Sequence, residues 1–355
     1  MRGAHRREGR WVRTRGSDSR SAEYDEKMRA PRTIRPGGGK RLSLRNDPMQ
    51  SLKAGLIRFA MLAILAACSL VCPGLQAQTS DDAARLLATY HDLKPRLEQN
   101  AFHRRLYLDS QESPSTVTGQ IYAVMDYPFA TVHRALSDAN GLNNWCDVLL
   151  LHPNIKYCRS SGSSGGNMLT INVSQEEVAE ELRSTYRLRF NYDAAVTRPG
   201  YFRVRLHADS GPLNTRDYQI VLEAVSLGSS RTFLHLTYAY SYGTLGRLAM
   251  KGYLATFGRG KVGFTDIADG SAAQPEYVSG VRGLVERNTM RYYLAIDAWL
   301  REPPGQPDTR LQQRLSNWFS ASEQYSRQLH EIDRQQYMQM KQDEYRRQQA
   351  MNRSG

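Results

Sequence analysis

Between Glu181 and Tyr242 four segments alternate apolar and polar side chains with period two, and each carries an apolar face that has to be covered. Glu181–Tyr192 sets Leu182, Tyr186, Leu188, Phe190 and Tyr192 against Arg183, Thr185, Arg187, Arg189 and Asn191. Tyr201–Asp209 sets Phe202, Val204 and Leu206 against Arg203, Arg205 and His207. In Asp217–Val225, Tyr218, Ile220 and Leu222 share a face with Arg216. Arg231–Tyr242 gathers Leu234, Leu236, Tyr238, Tyr240 and Tyr242, with His235 on the other side. The separators are turn residues: Arg198-Pro199-Gly200, Gly211-Pro212 and Gly228-Ser229-Ser230. Such regular strands with short connections predict an antiparallel meander. Asn154–Arg159 and Met168–Ser174, joined by a Ser/Gly loop, extend it to six strands. A single sheet with one apolar, tyrosine-rich face needs a helix against that face.

Pro275–Leu300 supplies the candidate. Val281, Leu284, Val285, Tyr292, Ala295, Ile296 and Trp299 recur at three- and four-residue spacing, with Asn288 in the middle of that face. Asp81–Gln99 is expected as a helix capped by Ser80-Asp81. Strands follow at Arg104–Ser110 and Val117–Met125, then a helix over Pro128–Asp138 with proline in its first turn. Gly243–Gly263 mixes Leu245, Leu248, Leu254 and Phe257 with Arg247, Lys251, Arg259 and Lys261. Beyond Pro303-Pro304, the tail spaces Leu311, Leu315, Trp318, Ser322, Tyr325, Leu329 and Ile332 alternately by four and three. That seam predicts a helix docking on the domain or on another copy, with self-association through residues 308–335. The last two dozen residues, rich in Gln and Arg, are expected to fray.

The net charge of +13 is concentrated at the front. Residues 1–48 contribute +8 and residues 49–77 a further +2, which leaves +3 on residues 78–355. A nucleic-acid-binding domain would carry the excess on its folded part, so no nucleic-acid partner is expected. Residues 1–48 read as a disordered basic head, either upstream of a true start at Met49 or an arm for anionic partners. Residues 49–77 have a signal-peptide layout: Lys53 and Arg58, an apolar run, Pro73-Gly74, and a small residue at Ala77. The expected location is therefore exported, periplasmic. Leu65-Ala66-Ala67-Cys68 leaves open a lipoprotein anchored at Cys68, and Phe59–Val71 an uncleaved anchor, although its 13 residues fall short of the ~20 that span a bilayer. Cleavage after Ala77 leaves two cysteines, Cys146 and Cys158, expected to form a disulfide in an oxidising compartment, with two buried thiols as the alternative. Only His152 lies between them, so no metal site is expected.

One helix, two strands, a helix, a six-strand meander and a closing helix is the element order of the helix-grip fold. Gly211-Pro212-Leu213-Asn214-Thr215-Arg216-Asp217-Tyr218 resembles the Arg-Asp-aromatic turn of START lipid-transfer domains. Trp145-Cys146-Asp147 is similar to their Trp-Asp segment, with a cysteine inserted. The resemblance spans about Ala101–Leu300, giving a START-like domain over 101–302, an N-terminal helix over 78–100 and a helical tail over 303–355. The whole chain also resembles a family of exported bacterial proteins without an assigned ligand. The START resemblance implies an α+β helix-grip fold, a curved antiparallel sheet around a long C-terminal helix. It also implies a hydrophobic tunnel between them, closed by a lid that opens to a membrane. It further implies a lipid or other hydrophobic small molecule as partner; some relatives are cyclases.

The candidate ligand-binding residues are Asn288, Tyr292, Arg216, Tyr186, Tyr238 and Tyr240. Asn288 and Tyr292 lie one turn apart and would orient a polar head group, or else bond only to the sheet. Arg216 would anchor an anion or carbonyl, or pair with a structural acid. The tyrosines offer hydroxyls to a cavity, or act as core aromatics with one wet end. Leu245, Leu248, Leu254 and Phe257 with Lys251 form the expected lid, suited to peripheral membrane contact, or an ordinary packed helix. The Arg183, Arg187, Arg189, Arg203, Arg205 stripe reads as a solvated outer face. There is no Gly-x-Ser-x-Gly, phosphate loop or His-Glu-x-x-His, so no catalytic residue and no cofactor is expected. The expected function is an exported module binding a lipid or other hydrophobic small molecule, with transfer between envelope membranes. A cyclase-like enzyme using the same cavity and a scaffold acting through the tail are the alternatives.

Overall fold

The computed structural model describes residues 74–353 other than 139, 164–165, 177, 257, 269–273 and 302–305. All belong to the unit Leu70–Gly355. The basic head, the apolar run Phe59–Val71, Cys68 and the lid residue Phe257 lie outside the described residues.

Among the described residues the α-helices and strands follow in the order α1 (Gly74–Glu98), β1 (Leu106–Glu112), β2 (Thr116–Met125), α2 (Phe129–Leu136), α3 (Gly141–Leu150), β3 (Ile155–Ser163), β4 (Gly166–Val173), β5 (Tyr186–Arg198), β6 (Tyr201–Ser210), β7 (Thr215–Ser226), β8 (Thr232–Tyr242), α4 (Thr244–Ala255), α5 (Gly280–Leu300), α6 (Pro307–Glu323), α7 (Ser326–Leu329) and α8 (Arg334–Arg353). The strands form one sheet in the order β1-β2-β8-β7-β6-β5-β4-β3. Strands β3 to β8 are the expected meander, and the β1–β2 hairpin adds at the β8 edge. Every pairing is antiparallel. The register aligns Ile121, Leu236, Leu222 and Val204 across four strands, all fully buried. This row is the apolar face read from the alternation, and α5 lies across it. The architecture is the α+β helix-grip fold.

Several boundaries differ from expectation for physical reasons. β5 starts at Tyr186 because Leu182–Ser184 forms a 3-10 turn, which removes Leu182 from the strand face. β3 absorbs part of the Ser/Gly segment expected as a loop, since Ser160, Ser161 and Gly162 pair with Leu169, Met168 and Asn167. α5 begins at Gly280 rather than Pro275, because the preceding residues are held extended. Tyr277 bridges Asp266, and the Gly263 amide donates to the Val278 carbonyl at 2.6 Å.

α5 is not a one-faced helix. Fifteen of its 21 residues are buried, including Glu286, Arg287, Arg291 and Asp297, because α3, α6 and α7 pack on it as well as the sheet. Arg291 pairs with Glu331, and the Trp318 indole N–H donates to the Arg291 carbonyl at 3.3 Å. The tail seam is thus used within the chain: Leu315, Trp318, Tyr325 and Leu329 are buried in the same core as the sheet. The final helix is docked rather than frayed. Tyr337 donates to the Leu151 carbonyl at 2.8 Å, and Lys341 reaches the Ile155 carbonyl at 2.8 Å and Glu344 at 2.7 Å. Lys156 meets Glu344 from the strand side at 3.4 Å.

The outer sheet face is not wholly solvated either. α1 straps it, and Leu86 and Leu97 pack on Val124, Tyr201, Val225 and Phe233 as a second, smaller core. Arg183, Arg187, Arg189 and Arg205 remain exposed beyond that strap, with Arg203 half-buried. A disulfide joins Cys146 on α3 to Cys158 on β3, with the Cα atoms 5.2 Å apart.

Candidate functional site

The meander curls around α5 but does not close on it. A cavity of about 130 Å³ stays open between them. Leu188, Phe190, Tyr238 and Tyr240 wall it from the sheet, and Leu284, Asn288 and Tyr292 from the helix. Those three helix residues stand four apart and are among the few of α5 that are not fully buried, because they face this space. Leu213 of the Gly211–Tyr218 turn and Met250 and Tyr253 of α4 form the mouth.

That turn follows from its sequence. Leu213, Asn214 and Asp217 all take positive φ, and Gly211 lies beneath the Tyr218 ring, where a β-carbon would sit 2.1 Å from a ring atom. Tyr218 is thereby pressed into the cavity wall, its hydroxyl 2.7 Å from Thr215 Oγ1 and its ring stacked 5.1 Å from Tyr240. The same turn ejects Arg216. The register slips between Arg216 and Gln219, so strict alternation fails there. Arg216 is 54% exposed and meets Asp217 at 3.5 Å, outside the cavity. Its placement beside Tyr218, expected from a regular strand, is corrected. Tyr186, at the start of β5, is 41% exposed and also lies off the cavity wall.

Asn288, Tyr292, Tyr238 and Tyr240 are brought together. The Tyr292 ring lies 5.2 Å from Tyr238, edge to face, and 5.2 Å from the His152 ring. Burial raises the Tyr238 and Tyr240 hydroxyls well above their ordinary value, and takes Tyr218 to about 12. These phenols stay neutral donors at physiological pH. Tyr240 is 3% exposed and its hydroxyl has no partner among the described residues.

His152 and Arg287 were not singled out from the sequence as cavity residues. His152 follows α3 and is 3% exposed. Its Nδ1 accepts the Asn154 amide at 3.2 Å, so Nε2 carries the proton. Asn288 is near enough to influence the ring, yet no group meets Nε2 with hydrogen-bond geometry. Burial first, then the charges of Arg291 and Lys341, push the imidazole well below its usual range, so it is neutral. Arg287, 1% exposed, lines the cavity beside Asn288. Its only sequence signal is a place one residue from Asn288 on a helix whose polar side had no visible cover.

The expected lid segment is helix α4. It turns Gly246, Met250 and Tyr253 inward, leaving Leu245 and Leu248 70% and 68% exposed beside exposed Lys251, with Leu254 half-buried.

In chemical terms the site offers a ring-lined apolar space with phenol, imidazole, amide and guanidinium groups on its wall. Among the described residues no three His, Cys, Asp or Glu side chains gather to hold a metal, and no helix is long and apolar enough to cross a membrane. The chain has a helix-grip fold with a cavity between the sheet and α5. No family model matches it, and no curated protein does. Among solved structures it is similar to norcoclaurine synthase from Thalictrum flavum in complex with dopamine and hydroxybenzaldehyde: 15% identity, TM-score 0.29, over 41% of this chain and 84% of that one. It is similar also to the Zhui aromatase/cyclase from Streptomyces sp. R1128, at 14% identity and TM-score 0.26 over 42% and 85%. Human StAR-related lipid transfer protein 5 matches at 7% identity and TM-score 0.25 over 52% and 100%.

Proposed function

We propose that this protein binds a small hydrophobic molecule carrying a hydrogen-bonding polar group, held between the sheet and α5. The observation that carries this reading is the pair of buried, unpartnered groups on an apolar wall, the Tyr240 hydroxyl and His152 Nε2. Leaving such a group unsatisfied costs about 1–3 kcal/mol, a cost that a bound polar group would offset. The cavity of about 130 Å³ sets the scale. It resembles the ~150 Å³ hollow that admits benzene, and is well below the ~300–1,000 Å³ of drug-sized sites. A ring or a chain end fits as the site stands, and a whole lipid requires α4 to swing away. Its exposed Leu245 and Leu248, flanked by Arg247 and Lys251, suit that helix to a membrane surface and so to transfer between envelope membranes. The Cys146–Cys158 bridge supports export into an oxidising compartment.

The test uses the neutral fluorophore N-phenyl-1-naphthylamine and the full chain. Binding is expected in the wild type, with loss in Leu284→Trp, which fills the cavity, and weakening in Tyr240→Phe and Asn288→Leu. Unchanged affinity in Leu284→Trp would overturn the assignment.

A further inference from the structure

Part of the wall of the cavity between the sheet and α5 is a series of aromatic rings, each packed on the next. Tyr218 of β7 stacks on Tyr240 of β8 with 5.1 Å between ring centroids. Tyr240 meets Tyr238 at 5.8 Å, and Tyr238 meets Tyr292 of α5 at 5.2 Å. Tyr292 in turn meets His152, just beyond α3, at 5.2 Å. All five side chains line the open space of about 130 Å³. We infer that the ligand of this cavity is a flat aromatic molecule and not an acyl chain. The inference rests on the reading of the cavity as a ligand site and names the class of ligand it takes.

Three observations carry it. The first is the chemistry of the wall. An aromatic ring has a negative face and a positive edge, so it attracts a second ring, offset or edge to face, beyond what apolar area alone supplies. Both arrangements are present: Tyr238 and Tyr292 stand edge to face at 65°, and Tyr218 and Tyr240 lie nearly parallel at 16°. A ring that enters beside them continues a series already made, whereas a methylene chain gains area only. The second is that the rings are held before any ligand arrives. Gly211 lies beneath Tyr218, whose hydroxyl is 2.7 Å from Thr215 Oγ1. Tyr238 sits on a strand paired on both sides, opposite Gly119 and Ile220. The His152 ring is fixed by the Asn154 amide, which donates to Nδ1 at 3.2 Å. A preformed wall favours a rigid ligand, because a chain must freeze its rotatable bonds on entry. The third is size. A single ring fills a space close to the ~150 Å³ hollow that admits benzene, and a lipid's acyl chain overruns it.

The test compares acetophenone with 2-octanone, two eight-carbon ketones that differ in having a ring or a chain. Each competes with N-phenyl-1-naphthylamine for the full chain. The chain ketone is the more hydrophobic, so area alone would favour it. Acetophenone should instead bind about tenfold more tightly. Tyr238→Leu and Tyr292→Leu keep an apolar wall without the ring, and each should cut that ratio by about threefold or more. In the wild type, which needs no variant to fold, the ring protons of bound acetophenone should show nuclear Overhauser contacts to the Tyr238 and Tyr292 rings. Equal or tighter binding of 2-octanone, an unchanged ratio in both variants, or no such contacts would overturn the inference and leave the cavity a binding site. Failure of acetophenone to compete where N-phenyl-1-naphthylamine binds would overturn it as well. Absent binding of N-phenyl-1-naphthylamine, or its unchanged binding in Leu284→Trp, would overturn the reading of the cavity and this inference with it.

Discussion

Gly119 of β2 lies so close beneath Thr289 of α5 that a β-carbon at position 119 would fall 2.3 Å from Thr289 Oγ1 and 3.3 Å from the Val285 carbonyl. This contact sets how deeply the helix sits in the sheet. Gly119 pairs with Tyr238 on β8, so the helix's depth and the cavity wall are fixed at one place.

Gly119→Ala should therefore lift α5. Overpacking of this kind costs about 1–3 kcal/mol. Thr289→Ala should recover much of that loss, because its hydroxyl only donates back to the Val285 carbonyl within the helix. Urea denaturation of the two single variants and the double variant measures the coupling. Strict additivity would mean that the contact does not govern the helix's seat.

The meander and its tyrosines were legible because period-two alternation is a direct record of sheet burial. Tyr238, Tyr240, Asn288 and Tyr292 emerged from that record, and they do meet in one space. The pattern failed where the backbone leaves the regular strand: a positive φ at Asp217 turned Arg216 outward. It failed again where burial is polar. α8 buries Lys341, Glu344 and Gln348 along one side, which no hydrophobic periodicity can reveal. With the docking of the tail unseen, the pairing of Arg291 with Glu331 was unseen too, and so was the cleft that the tail encloses.

The Cys146–Cys158 bridge spans a sequence separation of 12. On the loop-entropy account, closing a loop of this length stabilises the fold by about 3 kcal/mol. Replacing both residues by alanine avoids burying unpaired hydroxyls, and should lower the unfolding free energy by roughly that amount. Denaturation of the double variant, and of the wild type with and without reductant, checks this. Equal stability in all forms would show that the bridge constrains nothing.

Burial lowers Lys341 to about 8, with Glu344 opposing the shift. Between about pH 8 and its unfolded value near 10.4, the unfolded chain holds a proton there that the folded chain has lost. Stability therefore rises with pH across this window. The buried tyrosines act in the opposite sense from about pH 10, since their raised folded values mean that the unfolded phenols ionise first. On the acid side, His152 is depressed, so its contribution is present above about pH 6.5 and is lost as pH falls through its folded value. Urea midpoints should climb from pH 7.5 to 9.5 in the wild type. They should stay flat in Lys341→Met, which leaves Lys156 and Glu344 as a balanced pair. A climb of equal size in the variant would assign the effect elsewhere.

Glu286 is fully buried, and one carboxylate holds the segment that follows the lid helix. It accepts the Phe264 amide at 2.5 Å, the Thr265 amide at 2.9 Å and the Thr265 hydroxyl at 2.6 Å, together with the Ser110 hydroxyl. A glutamine keeps the size but turns one oxygen into a donor, facing donors it cannot satisfy. Each buried group so orphaned costs about 1–3 kcal/mol. The loss should be local, because Phe264 and Thr265 lie outside the sheet and are tied to α5 through this side chain. In Glu286→Gln, hydrogen exchange should speed up at the Phe264 and Thr265 amides while β6 to β8 keep their protection. If the segment after α4 is what anchors the lid, the variant should also take up N-phenyl-1-naphthylamine faster at unchanged cavity lining. Uniform loss of protection across the sheet would instead make Glu286 a support of the whole fold.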